Sequence, residues 1–307
     1  VTEKSFDLAV VGEINPDLIL SGDVVPQFGQ VEQNVDDLTL TIGSSAAIFA
    51  CGAARLGLRV LFLGKVGADE FGRFMLSAMQ ARGVDISSVT IDPHVRTGLS
   101  VILNRGSDRA ILTYLGAIPL LEYAEIPFER LAQARHLHLA SYFIQDRLRP
   151  HVPELCQRAR AAGLSISLDT NYDPSNRWDG GIAQVLDLVD VFLPNETEAC
   201  RISGQAEIED AIARLAARIP TLAVKLGGKG AAALAKGQRV DLPALPIHVV
   251  DTVGAGDSFD AGFLYGYLNG WDLAKSLRMA TVCGSLSTRA SGGTTAQATF
   301  LEAQAYL

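Results

Sequence analysis

The sequence has little of what would mark an exported, membrane-spanning or nucleic-acid-binding chain. Its four cysteines, Cys51, Cys156, Cys200 and Cys283, stand far apart in 307 residues and form no CxxC pair. That spacing excludes a dense disulfide framework and a zinc-finger-type site and fits buried thiols. No block of five like charges occurs, and 26 Lys and Arg against 34 Asp and Glu leave a net charge of −8. A basic face able to neutralise phosphates is missing, so a nucleic-acid partner is excluded. Apolar runs such as Ala231–Ala235 are far shorter than the roughly 20 residues of a spanning helix, so no membrane association is expected. The opening VTEKSFDLAVVG carries no basic segment leading into an apolar one, and the expectation is a cytoplasmic protein. Neither GxxxxGK[ST] nor a GxGxxG after the first apolar run is present, which excludes a P-loop and a dinucleotide fingerprint. His136 and His138 alternate on one apolar run without a partner at metal-ligand spacing, so they read as structural histidines.

What is present is a large apolar fraction, 48% against 20% charged, in a regular alternation of β-branched runs and amphipathic stretches. The strands expected are Phe6–Gly12, Arg59–Gly64, His136–Ala140, Ser165–Asp169, Val191–Leu193 and Leu222–Lys225. Between them, helices are expected after Gly43, over Glu70–Arg82, Arg149–Ala162 and Glu207–Arg218, and near Ile182–Leu188. This is the pattern of an α/β fold around a mainly parallel sheet. Two stretches break it, 18–41 and 96–116; in the second, GLSVILN and RAILTYL alternate like paired strands around Arg105–Asp108. They read as one small discontinuous β subdomain serving as a lid on a single domain spanning 1–307.

The most informative stretch is Val250–Gly270, VDTVGAGDSFDAGFLYGYLNG. Gly254, Ala255 and Gly256 precede a helix expected to begin at about Asp257, and free N–H groups at a helix N-terminus attract an anion. Asp257 at the mouth of such a turn is placed to accept a proton from an attacking hydroxyl, or else merely caps the helix. Asn195 and Glu198 have the spacing of a capping box. Lys225 with Gly227, Gly228 and Gly230 reads as a strand and its following turn.

The run DTVGAGDSFDAGF closely resembles the signature of the PfkB, or ribokinase-like, carbohydrate kinase family. Further blocks follow in the family's order: GEINPDLIL, IGSSAAIFACGAARLG, LDTN, PNETEA, KLGGKGA and ATVCGSLST. The resemblance implies a three-layer ribokinase-like α/β core with a small β lid. It also implies ATP with Mg²⁺ and transfer of the γ-phosphate to a hydroxymethyl group of a sugar or nucleoside. Asp257 would be the general base and Gly254, Ala255 and Gly256 the anion hole. Asp17, Gly43, Ser44, Ser141 and Asn171 would bind the acceptor, and Asn195, Lys225, Gly227, Gly228, Gly230 and Thr281 the nucleotide. Glu198 would reach Mg²⁺ through water, and Asp251 corresponds to a position associated with a monovalent cation such as K⁺. The lid strands of the family often pair two subunits, which implies a homodimer.

Where the family usually carries an asparagine four positions after its second glycine, this chain has Ile48. An apolar side chain cannot satisfy a buried hydroxyl, which argues against ordinary ribose recognition. A free sugar is the favoured acceptor. A nucleoside is the alternative, with Ile48, Phe49, Tyr142 and Phe143 as candidate contacts for a base, and a non-catalytic ligand sensor is the reading from another class.

Overall fold

The structure is a computed structural model that describes residues 4–105 and 108–307. Its strands in chain order are β1 (Phe6–Val11), β2 (Pro16–Ser21), β3 (Asp37–Ile42), β4 (Val60–Leu63), β5 (Lys65–Gly67), β6 (Val84–Asp85) and β7 (Thr90–Asp92). There follow β8 (Leu99–Arg105), β9 (Asp108–Tyr114), β10 (Ala134–Ala140), β11 (Ser165–Asp169) and β12 (Val191–Phe192). The last three are β13 (Thr221–Lys225), β14 (Ala231–Ala235) and β15 (Gln238–Leu242). The helices are α1 (Ser45–Arg55), α2 (Glu70–Ala81), α3 (Phe128–Leu131), α4 (Val152–Ala161) and α5 (Ile182–Leu186). They continue with α6 (Glu196–Ser203), α7 (Ile208–Ala216), α8 (Ala255–Leu268), α9 (Leu273–Ser287) and α10 (Phe300–Gln304).

Nine strands form the main sheet in the order β15-β14-β13-β12-β11-β10-β1-β4-β6. From β13 to β6 every pairing is parallel, and β14 and β15 add antiparallel at one edge. Central strands are buried on both faces, as parallel sheets require. Along β1, Leu8 and Val10 pack with α1, α2, α8, α9 and α10, whereas Ala9 and Val11 pack with α3 to α7. The result is the three-layer α/β fold expected. Differences in element ends have local causes: Pro150 and Pro153 confine the start of the fourth helix to a 3₁₀ turn at Arg149–His151 before α4, since proline fits only a first helical turn.

The two stretches that broke the α/β alternation do pair with each other, in a four-stranded sheet of order β3-β2-β8-β9. Strand structure there covers less than 18–41, because 22–36 is irregular, and the turn centred on 106–107 lies outside the described residues. The registers place Thr41, Asp17, Ser100 and Thr113 in one row across the sheet, on the face that looks at the main sheet. His136 and His138 are fully buried on β10, bonded at 2.7 Å to the hydroxyls of Ser165 and Ser167. They are structural, as read.

Candidate active site

The C-terminal ends of β1, β10, β11 and β13 deliver Glu13, Ser141, Asp169 and Lys225 to one edge of the sheet, where open α/β sheets bind their ligands. Two cavities meet there, one of about 630 Å³ and one of about 300 Å³. Ser45, Arg109, Asn171 and Asp257 belong to the walls of both.

The larger cavity runs along the C-terminal half. Ala255, Gly256 and Asp257 close one end; Asn195, Glu198 and Lys225 form its floor. Gly227, Gly228, Gly230 and Thr281 also line it. The helix expected at Asp257 begins two residues earlier, at Ala255, so Ala255 and Gly256 lie in its first turn. Gly254 caps it with φ +72°, and a Cβ there would come within 2.6 Å of Gly293 Cα. Only glycine satisfies both the left-handed backbone and that approach. Gly256 of this turn lines the larger cavity and Gly254 the smaller, the Ala255 N–H donates to Thr252 O at 3.3 Å, and Asp257 follows them.

Asp257 is half-buried. Burial, then the nearby Asp169 carboxylate, pushes its carboxyl well above the ordinary range, while Lys225 pulls the other way. Its hydrogen-bond partner is the Ser45 hydroxyl. Ser45 in turn accepts from Asn171 Nδ2 at 2.9 Å, and the same amide reaches Ser141 Oγ at 3.3 Å. Ser44, Ser141 and Asn171 all hold positive φ, +67°, +54° and +54°. Three non-glycine residues held in that region cluster around the same carboxylate, as strained backbone does at functional sites.

Asn195 and Glu198 make the full capping box of α6: Glu198 N–H donates to Asn195 Oδ1 at 2.9 Å and Asn195 N–H to Glu198 Oε2 at 2.9 Å. Burial raises the Glu198 carboxyl to about 7, with Asp169 adding to the shift. A carboxylate has more lone-pair sites than these bonds use, so Glu198 can also accept from metal-bound water. Among the described residues no cluster of three His, Cys, Asp or Glu is set to hold a metal directly. This suits Mg²⁺, which keeps its waters and binds through few protein groups and substrate phosphates.

The smaller cavity lies under the four-stranded sheet, walled by Asp17, Ser44, Asn171 and Gly254. Asp17 is nearly buried and its carboxyl is raised by that burial to about 7. Ile102, on the same sheet face as the polar row of Asp17, Ser100 and Thr113, and Ile48 and Ile144 add apolar wall to this cavity. Two expected contacts lie behind the wall. Gly43 is there because a Cβ would strike Asp17 Oδ1 at 2.1 Å, and Ser141, fully buried, acts on Asn171. The aromatic residues considered for base stacking also face elsewhere: Phe49 stacks on His138, Tyr142 donates to Gly180 O, and Phe143 packs on Trp178. Asp251 lines neither cavity. Its oxygens accept N–H groups of Val253 and Gly292 at 3.0 and 2.9 Å, and Arg109 of β9 stands 3.6 Å away.

Four site residues escaped the sequence reading: Glu13, Arg109, Asp169 and Asp260. Glu13 is buried, accepts from the N–H of Ala46 at the start of α1, and leaves Oε2 without a partner. For the three acids the one sequence signal was an acid at the end of an apolar strand or within an apolar helix face; Arg109 carried none.

A three-layer α/β core with a helix start between two confluent cavities is the ribokinase-like architecture. Residues 5–299 match the pfkB family carbohydrate kinases. The chain belongs to that family, whose members transfer phosphate to a hydroxyl. It is 34% identical to a fructokinase of Klebsiella pneumoniae over 272 residues, 83% of this chain and 88% of that protein. A ribokinase of Bacillus subtilis is 28% identical over 288 residues, 93% and 94% of the two chains. In fold it matches an E. coli protein solved in complex with ATP and Mg²⁺ at a TM-score of 0.86, with 24% identity and 98% coverage of both chains. No helix among the described residues is long and apolar enough to cross a membrane.

Proposed function

We propose that the protein is an ATP- and Mg²⁺-dependent kinase of a neutral sugar or related polyol, phosphorylated on a primary hydroxyl. The observation that carries this reading is the position of Asp257 on the wall common to both cavities, in the first turn of α8. The nucleotide occupies the larger cavity and the acceptor the smaller one. Asp257 accepts the hydroxyl proton as the acceptor oxygen forms its bond to phosphorus and the β–γ bridging bond breaks, ADP leaving with the electron pair. The N–H groups at Gly254–Gly256 hold the charge spread over the transferred oxygens. Mg²⁺, when bound, neutralises the phosphates and is held through water by Glu198 and Asn195.

Asp17, Ser44 and Asn171 supply hydrogen bonds for acceptor hydroxyls, and Gly43 and Ser141 support them from behind. Glu13, Asp17 and Asp257 outnumber the single Arg109 in this cavity, so an anionic acceptor is disfavoured relative to a neutral one. With its aromatic residues turned away, the pocket favours a sugar over a nucleoside. The four-stranded sheet acts as the lid, tied to the core by the Arg109–Asp251 pair. For the monovalent cation, K⁺, the Asp251 carboxylate is committed to the backbone of Val253 and Gly292, so loop carbonyls would hold the ion and Asp251 would shape the loop.

The test is a phosphorylation screen over neutral sugars, sugar acids and nucleosides with ATP and Mg²⁺, followed by Asp257→Asn. With the best acceptor, the variant should lose about 10²–10⁴-fold in kcat while nucleotide affinity stays nearly constant. Turnover near the wild-type rate would sink the base assignment. Turnover with nucleosides alone would sink the sugar reading.

A further inference from the structure

Under the first turn of α8 a single ammonium is buried among carboxylates. Lys225 Nζ lies 3.0 Å from Asp169 Oδ2 and 3.0 Å from Asp260 Oδ2, and the three side chains are 12%, 8% and 1% exposed. They come from β13, β11 and α8, so the pairings are 56 and 35 residues apart in sequence. A buried ion pair contributes little net stability, because desolvation of the charges offsets their attraction. Fold stability alone therefore does not account for a lysine here.

The geometry around the ammonium points outward, to the nucleotide cavity. An ammonium has three donors, and the two carboxylates take two of them. Lys225 lines the larger cavity together with Gly256, and a Cβ built on Gly256 would lie 3.7 Å from Nζ. The residue beside the ammonium in the phosphate-binding turn thus has no side chain to cover it.

The acids are matched to this task. Asp169 takes the Asn171 N–H on Oδ1 at 3.1 Å and the lysine on Oδ2. Asp260 Oδ1, by contrast, is buried with no donor. A proton held between Asp169 and Asp260 satisfies that oxygen and leaves one negative charge against one positive. Burial drives the Asp260 carboxyl well above its ordinary range. Burial also works on Asp169, but Lys225 overcomes it and holds that group below its ordinary value.

We propose that Lys225 is a catalytic residue: a cation fixed in the floor of the phosphate-binding turn that takes charge from the transferred phosphoryl group. Asp169 and Asp260 are positioning residues that hold the ammonium there. The inference rests on the phosphoryl-transfer reading above. A fixed cation where charge builds up in a loose transition state stabilises that state without reorganisation, and more strongly in a poorly solvated site.

Calorimetric titration with Mg²⁺-β,γ-imido-ATP and with Mg²⁺-ADP tests it without turnover. Lys225→Met should weaken the imido-triphosphate at least tenfold and ADP less than threefold. In turnover the variant should lose about 10²–10³ in kcat with acceptor KM nearly unchanged. Because this change leaves Asp169 without its counter-charge, Lys225→Met combined with Asp169→Asn is measured beside it and should discriminate in the same way. Asp260→Ala should reproduce part of the defect. Asp260→Asn should rescue it, since the amide can accept from Lys225 and donate to Asp169 as the protonated acid does. A loss shared equally by both nucleotides, or no loss, overturns the role of Lys225, and failure of Asp260→Asn to rescue overturns the positioning role. Lys225-dependent discrimination in a protein that phosphorylates no acceptor would sink the transfer reading alone, whereas a wild-type protein that binds neither nucleotide would sink both.

Discussion

At the scale of single residues, the proposed role of Asp257 as base makes its protonation the property expected to set the working pH range. A general base acts only when ionised, and burial beside Asp169 raises its carboxyl well above the ordinary range. Activity should therefore rise with pH through that raised value, so the acid limb of kcat/KM lies above the usual carboxylate titration near about pH 4. Lys225 is the cation that opposes the rise; Lys225→Met should move the acid limb to still higher pH. A pH–rate profile of both proteins checks the sign, and a shift downward would contradict it. Asp257 itself was legible in the sequence because the whole GAGD turn is local. Of the charged groups that tune it, Lys225 was legible only as part of a strand and its turn and Asp169 not at all, because they reach Asp257 only through long-range packing of two strands and a helix. Ile48 was legible as a departure from the family. What the fold adds is that its side chain lies against Gly254 and Gly293 as well as lining the smaller cavity.

At the scale of elements, the start of α8 shapes the turn proposed to hold the transferred phosphate. The helix was read as beginning at Asp257, because side-chain periodicity becomes visible only there. The structure starts it at Ala255 because Gly254 takes the left-handed cap that turns the chain into the helix. Gly254→Ala should cost at least about 1–2 kcal/mol for the left-handed backbone alone. The approach to Gly293 adds to that cost. We expect a lower Tm in thermal unfolding and a loss of turnover of about 10²-fold from misplaced donors. A variant with unchanged Tm and kcat would show that the cap geometry is dispensable. A second element, the α6 start, shows how two readings of one motif hold together. Asn195 and Glu198 form the capping box that the spacing predicts, and both line the larger cavity.

At the scale of the whole molecule, the four-stranded sheet is two-sided in a way that strand alternation alone only partly reveals. Alternation in 96–116 was enough to predict paired strands, but which face meets the core depends on register across four strands. The observed register puts Thr41, Asp17, Ser100 and Thr113 in one row on the side of the smaller cavity. It also places Leu40, Leu18, Val101 and Leu112 in one outward row and Leu38, Leu20, Leu103 and Ala110 in the next. Leu38, Leu112 and Tyr114 are more than half exposed on that outer side. An apolar sheet face of two complete rows is costly to leave in water, and a second copy of the same face is self-complementary under two-fold symmetry. Pairing of two copies through this face is the outcome this pattern predicts. Leu112→Glu, placed in the outer row and away from Asp17, should convert a dimer into a monomer by light scattering. It should also raise acceptor KM more than nucleotide KM, because the sheet that would lose its partner covers the smaller cavity, the proposed acceptor site. A wild-type protein that is monomeric at micromolar concentration, or a variant that remains dimeric, would place the subunit contact elsewhere.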